Sequence, residues 1–384
     1  MQPILLDVSR LIWRQWGQRL PTGIDRVCLA YLDHFGPRAN AVVQFRNLRL
    51  ILGPRDSAKL FEMLREGGPG FRGRLVAILA RAALRQRPST QGAYYLNVGH
   101  TGLNSAYLLP WLRRRQLRPV YLLHDLIPIT CPQYCRPGEA SRHEQRIANA
   151  LESARGIVVN SDVTRRELAD FARSRGYALP PTEVAWLGVE QGQPTVRPLS
   201  GRPYFVALGT IEARKNHQLL LDIWARLVTQ VGATSPKLVI VGQRGWEAQP
   251  VIELLDNPGA LDGSVRELGR CDDASLRALV AGAQALLMPS FAEGFGLPVV
   301  EALELGTPVI ASDLAVFREI AGDVPDYLDP RDEDGWYRLI AEYSANGPAR
   351  GLQLDRVAGF QAPGWSEHFR RVDQFLRALD GPES

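Results

Sequence analysis

The chain has 384 residues, too many for one hydrophobic core and about right for two of ordinary size. With 45% hydrophobic and 22% charged residues, its composition excludes the disordered, fibrous and collagen-like classes. Net charge is only +4, yet residues 1–199 carry 28 basic against 15 acidic groups and residues 200–384 carry 17 against 26, so the two halves present opposite signs.

The N-terminus, MQPILLDVSRLIWRQW, reaches a charge at Asp7 and lacks the three-part pattern of a signal peptide. No apolar run approaches the ~20 residues of a bilayer span, so a cytoplasmic location is expected. Short branched-rich runs then recur: PILLDV (3–8), AYYLNV (93–98), PVYLLHD (119–125), GIVVNS (156–161), YFVALG (204–209), KLVIVG (237–242), ALLMPS (285–290) and PVIASD (308–313). Between them lie helical spacings such as NHQLLLDIWARLVTQ (216–230) and DASLRALVAGA (273–283). This alternation predicts βαβ units and an α/β class with parallel sheets covered on both faces. The polar stretch after Trp186, with Pro194 and Pro198, reads as a linker, and GWSEHFRRVDQFLRAL (364–379) as one amphipathic helix.

Two segments stand apart. FRGRLVAILARAALRQR (71–87) sets Phe71, Leu75, Val76, Ile78, Leu79 and Ala82 on one helical arc flanked by Arg74, Arg81 and Arg85. Such a helix packs on a core or lies in a membrane interface. Cys131 and Cys135 are spaced CxxxC without a second pair, so no metal site is expected.

Ligands of open parallel sheets sit beyond the carboxyl ends of the strands, which directs attention to the loops there. GTIEARKNH (209–217) follows a strand and places Arg214 and Lys215 in a strand-to-helix turn. They read as diphosphate-binding cations or as a solvated pair before an Asn216 helix cap. Lys215 is one of only three lysines among 45 basic residues, which favours a need for a compact point charge. FAEGFGLPVVEAL (291–303) follows another strand, with Gly294 and Gly296 allowing close backbone approach and Leu297-Pro298 opening a helix. Glu293 and Glu301 are separated by on the order of 12 Å along a helix, too far to share a proton, and suit two separate sets of hydroxyls.

These stretches, with GTPVIASD (306–313), HDLIPI (124–129), NVGHTGL (97–103) and RLPTGIDRV (19–27), resemble the GT4 family of retaining, nucleotide-sugar-dependent glycosyltransferases. The resemblance implies a GT-B fold of two Rossmann-like doubly wound domains with a cleft between them. It divides the chain into an acceptor-binding domain (1–195), a donor-binding domain (200–362) and a helix (363–384) crossing back to the first. By matched position Arg214 and Lys215 bind the diphosphate, Glu293 the donor sugar and Glu301 the ribose. Gly294, Phe295, Gly296 and Leu297 line the phosphate and sugar. Gly242, Arg266 and Leu268 lie near the base, and Gly23 approaches the phosphates. His124 lies near the transferred sugar, where it orients a hydroxyl, shares charge or is a satisfied strand-end residue. His100, Asp125 and Arg26 are acceptor-side candidates, Asp125 alternatively capping its own turn. The implied donor is GDP-mannose, with dTDP- or UDP-sugars of rhamnosyl- or glucosyltransferases as alternatives. The implied acceptor is a lipid-linked or growing polysaccharide, with peripheral membrane contact through the basic half and no cofactor or metal. No GxGxxG supports a dehydrogenase and no aromatic-interleaved basic stretch supports nucleic-acid binding. A non-catalytic nucleotide-binding scaffold remains the reading of another class.

Overall fold

A computed structural model describes residues 2–18, 22–84, 90–192, 201–269 and 271–381. The chain divides into two units, the first being Met1–Ile129, Gly138–Leu187 and Trp365–Ser384, the second Thr130–Pro137 and Gly188–Gly364.

In the first unit, β1 (Ile4–Asp7), β2 (Ala39–Phe45), β3 (Leu48–Ile51), β4 (Tyr94–Asn97), β5 (Arg118–Leu123), β6 (Gly156–Val159) and β7 (Thr182–Val184) form one sheet in the order β3-β2-β1-β4-β5-β6-β7. All pairs are parallel except the β2–β3 hairpin. In the second, β8 (Tyr204–Leu208), β9 (Lys237–Val241), β10 (Val265–Leu268), β11 (Leu286–Met288), β12 (Val309–Ser312) and β13 (Asp326–Leu328) run parallel in the order β10-β9-β8-β11-β12-β13. That is the doubly wound order, and its direction reverses between β8 and β11. Central strands such as β1, β4, β6, β8 and β12 are buried at every residue, because helices cover both faces of a parallel sheet.

Both units are therefore Rossmann-like, as the alternation predicts. The helix Trp365–Ala378 packs within the first unit: Phe369, Val372 and Leu376 are buried, and Phe369 stacks on His34 with centroids 4.1 Å apart. His368 donates from Nδ1 to the Trp186 carbonyl at 3.0 Å and accepts at Nε2 from the Tyr31 hydroxyl at 3.0 Å. Three such apolar side chains contribute roughly 1.5–3 kcal/mol each on burial. Gly156 makes room for the helix, since a Cβ there would lie 2.7 Å from Phe375 and Leu379.

Two pieces fall differently from a contiguous division at 195. Residues 188–192 join the second unit, where the Val189 amide donates to the Pro363 carbonyl at 3.0 Å and Arg277 donates to the Glu190 carbonyl at 3.0 Å. Pro194 and Pro198, the heart of the expected linker, lie outside the described residues. Thr130–Pro137 also joins the second unit, because Tyr134 stacks on Phe291 and Arg136 lies over the Trp246 ring. The helix Phe71–Leu84 buries Phe71, Leu75, Ile78 and Ala82 but exposes Val76, while Arg85 and Arg87 lie outside the described residues.

The ends of β8 and β9 meet more closely than any side chain permits. A Cβ on Gly242 would lie 1.8 Å from the Gly209 carbonyl oxygen. The Gly209 amide donates to the Val241 carbonyl at 3.0 Å and the Gly242 amide to the Leu268 carbonyl at 3.1 Å, so neither strand end retreats freely. Gly242→Ala is expected to cost about 3 kcal/mol, lowering Tm by roughly 6–12 °C in a thermal scan, whereas an unchanged Tm would show that this approach is not a constraint.

Candidate active site

The reversal between β8 and β11 leaves a crevice at their carboxyl ends, and the two loops that follow these strands supply its charged groups. After β8, Ala213–Lys215 forms one 3₁₀ turn that Asn216 ends in the left-handed conformation, φ 54°. Asn216 adopts that conformation at low cost and anchors it by donating from its side chain to the Pro330 carbonyl at 2.9 Å. After β11, Gly296 has φ +97° and precedes the helix Leu297–Glu304, whose first turn contains Pro298. A Cβ on Gly296 would lie 2.5 Å from Phe317, so both backbone and packing require glycine there.

These turns bring four charges together. Lys215 Nζ donates to Glu293 Oε1 at 2.5 Å, and Arg214 Nη1 donates to Glu293 Oε2 at 3.0 Å and to the Ala292 carbonyl at 2.6 Å. Arg214 Nη2 donates to Glu212 Oε1 at 2.6 Å, and the Ser290 hydroxyl donates to Glu293 Oε1 at 2.7 Å. The Glu293 and Lys215 side chains are only 8% and 11% exposed, so the ion pairs work in a weakly screening environment. Burial alone would raise the Glu293 carboxyl, but the Lys215 and Arg214 charges outweigh it and hold the group at about 2. Burial lowers the Lys215 amine, and the Glu293 charge opposes that shift.

The cations are thus matched by two carboxylates and little exposed, which replaces the reading of a solvated pair. In the loop after Glu293 the amides of Gly294, Phe295 and Gly296 donate to no group among the described residues. Phe295 itself is buried. Leu297 and Glu301 lie on the helix that begins at this loop and are half-buried. Gly242 serves first to let two strand ends meet, while Arg266 is exposed and Leu268 half-buried on β10.

In the first unit the structure gathers three histidines at the carboxyl ends of β4 and β5. His100 donates from Nε2 to the Leu122 carbonyl at 2.8 Å, His124 to the Val98 carbonyl at 2.8 Å and His143 to the Asp125 carbonyl at 3.1 Å. The His100 and His124 rings are 5.0 Å apart. Burial lowers all three, His124 to about 4 and His100 well below its ordinary value, the latter also through the neighbouring imidazoles. Their lowered values leave them neutral at pH 7, so His124 carries no charge there. Its Nε2–H being committed to Val98, Nδ1 is the atom left to accept a hydroxyl proton.

Asp125 caps its own turn, accepting from the Ile127 amide at 3.1 Å, and forms no hydrogen bond to the His124 side chain. Ser161 caps the helix Asp162–Arg175 through the Thr164 amide at 3.0 Å, and Asn160 donates to the His124 carbonyl at 2.8 Å. Gly23 begins the helix Gly23–Phe35 and is exposed, and Arg26 is half-buried one turn on. Their loop is tied by Arg10 and Arg14, which donate to Asp25 at 2.6 and 2.8 Å. Arg19, Leu20 and Pro21 of the same motif lie outside the described residues.

Sequence reading missed Glu212, Ser290 and His143. The first two were visible as polar residues just past β8 and β11, where side chains turn toward the crevice. His143 lies mid-helix and only the fold brings it to His100.

Residues 202–346 match the family of glycosyl transferases group 1. The chain is 33% identical over 237 residues to O-antigen chain mannosyltransferase B of Escherichia coli, covering 58% of this chain and 60% of that one. It is 28% identical to the serotype-specific mannosyltransferase WbdA of the same organism, covering 59% of this chain and 29% of that one. It therefore spans less than two thirds of these relatives. Among solved structures, HepE of Anabaena in complex with UDP aligns over 98% of this chain and 100% of its own, with TM-score 0.66 and 16% identity. That likeness concerns the fold and agrees with the GT-B class.

Two acid-side effects follow from the shifted groups. The folded Glu293 value lies below the ordinary 4.5, so its stabilisation is complete above about pH 4.5 and lost as pH falls toward 2. The folded His124 value of about 4 lies below 6.5, so protons favour the unfolded chain and stability drops as pH falls from 6.5 toward 4. His124→Asn is expected to flatten the fall of Tm over that second window, and an unaltered slope would place the titration elsewhere. Glu293→Gln, which leaves Lys215 buried without its counter-charge, is expected to cost about 3 kcal/mol at pH 7 by denaturant titration.

Proposed function

We propose that this chain, whose second unit carries a glycosyltransferase group 1 domain, transfers mannose from GDP-mannose, with retention, to a hydroxyl of a lipid-linked or growing polysaccharide. The observation that carries the reading is the buried Arg214–Lys215–Glu293 cluster beside three amides with no acceptor among the described residues, at the sheet reversal. A diphosphate entering there competes with Glu293 for both cations. The carboxylate it releases is then available to accept hydrogen bonds from sugar hydroxyls. As the C1–O bond to the diphosphate breaks, negative charge grows on the leaving phosphate and Arg214, Lys215 and the amides stabilise it. The acceptor oxygen bonds to C1, and its proton passes to the departing nucleoside diphosphate. The charge on the leaving group is met by protein groups, so the proposed reaction needs no divalent ion.

The mannose assignment is supported by the likeness to O-antigen mannosyltransferases, and the polysaccharide acceptor by the same names. The neutral His124, with Nδ1 left to accept, is assigned to a sugar hydroxyl. Peripheral membrane contact is assigned to the helix Phe71–Leu84, which exposes Val76 and Leu84 beside Arg72, Arg74 and Arg81. No helix among the described residues is long and apolar enough to cross a membrane.

GDP is expected to raise Tm more than UDP, dTDP or ADP in a metal-free thermal-shift screen, and a preference for another nucleotide reassigns the donor. Arg214→Ala and Lys215→Ala are each expected to lower kcat about 10²–10³-fold with EDTA present, while nucleotide binding without turnover on any acceptor would favour the scaffold reading. Val76→Asp with Leu84→Asp is expected to reduce co-sedimentation with anionic phosphatidylglycerol vesicles, and unchanged pelleting removes this helix from the membrane assignment.

A further inference from the structure

Beside the cation cluster, the second unit holds a cavity of about 820 Å³ that the donor reading leaves unused. It runs along both loops of the sheet reversal, taking Glu212 and Asn216 from the first and Phe291 from the second, and the helix Gln249–Asp256 forms one wall. Its volume falls in the range of small-ligand pockets, about 300–1,000 Å³.

The lining defines the chemistry of an occupant. Among the described residues no lysine or arginine lines it, whereas Glu247 and Glu253 do beside an Arg214-paired Glu212, so a phosphate would enter against like charge and a neutral ligand would not. The rings of Tyr134 and Phe291 are parallel within 2° with centroids 4.9 Å apart, and both line the cavity half-buried. Aromatic faces of this kind match the C–H face of a pyranose ring. His217 is 3% exposed and lines the same space, and its Nδ1 is buried without a partner among the described residues. Burial and the Lys215 charge hold this imidazole at about 4, so it is neutral and one of its nitrogens accepts. Asn216 and Asn257 add amides that both donate and accept.

We propose that this cavity is a subsite for a neutral sugar residue of the acceptor chain, with Tyr134 as its stacking platform and Glu253 and Asn257 as partners for its hydroxyls. The assignment rests on the proposed transferase function and adds to it an acceptor contact on the donor-binding unit. The segment Thr130–Pro137, which joins this unit from within the sequence of the other, supplies the platform. The adjoining Glu212 carboxylate, bonded to Arg214, makes the cavity continuous with the cation cluster.

The test is direct binding of α-mannotriose to the whole chain by titration calorimetry, with no donor present. Wild type is expected to bind it. Leu254→Trp, which fills the cavity from a position already 36% exposed, and Tyr134→Ala are each expected to weaken binding at least about tenfold. The thermal shift produced by nucleotide is expected to be unchanged in both, and acceptor KM to rise about tenfold with kcat retained. Absence of trisaccharide binding by wild type, or equal binding by both variants, overturns the subsite. Loss of the nucleotide shift in Leu254→Trp also overturns it, because the cavity would then hold nucleotide. Trisaccharide binding that responds to both variants, without turnover from any nucleotide-sugar, upholds the subsite and overturns the transferase reading instead.

Discussion

A lysine amine placed in the interior needs a counter-charge, and in the second unit that requirement organises everything around it. Lys215 reaches Glu293, Glu293 reaches back to Arg214, and Arg214 spans to Glu212, so two loops that follow different strands are held as one. The loops are neighbours only because the sheet reverses direction between β8 and β11. Removing either carboxylate leaves positive charge in a poorly screened place, which is unfavourable until an anion arrives. Glu293 is therefore the internal counter-charge of both cations, and any anion proposed to bind them must compete with it.

The first unit solves a different problem with the same architecture. Past its β4 and β5 it gathers three imidazoles, each with one nitrogen pinned to a main-chain carbonyl. Burial keeps them uncharged, so these imidazoles themselves present directional hydrogen-bonding atoms rather than charges. The two units thus divide electrostatic and directional work between them, although the N-terminal half of the sequence is the more basic.

Much of this was legible before any coordinates. Eight strands announced themselves because buried parallel strands are continuous apolar runs, and the charged turn and the glycine-bracketed loop followed two of them directly. Five strands escaped notice: β3, β7, β10 and β13 have three or four residues and are mostly half-buried or exposed, too short for periodicity to register, and the seven-residue β2 is interrupted by Asn40 and Gln44. The pairing of Arg214 with Glu212 escaped as well. Adjacent like and unlike charges in a sequence say nothing about which side chains turn inward, and here the 3₁₀ turn decides it. The spacing of Glu293 and Glu301 speaks against a shared proton, but only the fold revealed that Glu293 is clamped by two cations.

The helix Trp365–Ala378 has a consequence for how the chain is made. It supplies part of the first unit's core, covering Tyr31, Phe35 and Gly156, yet it lies beyond the whole of the second unit in sequence. A ribosome releases the start of the chain long before this helix exists. The first unit waits, with an aromatic surface open, while its neighbour is synthesised and folds. The order of completion is thus the reverse of the order of synthesis, and damage near residue 370 is felt by the unit that begins at residue 1.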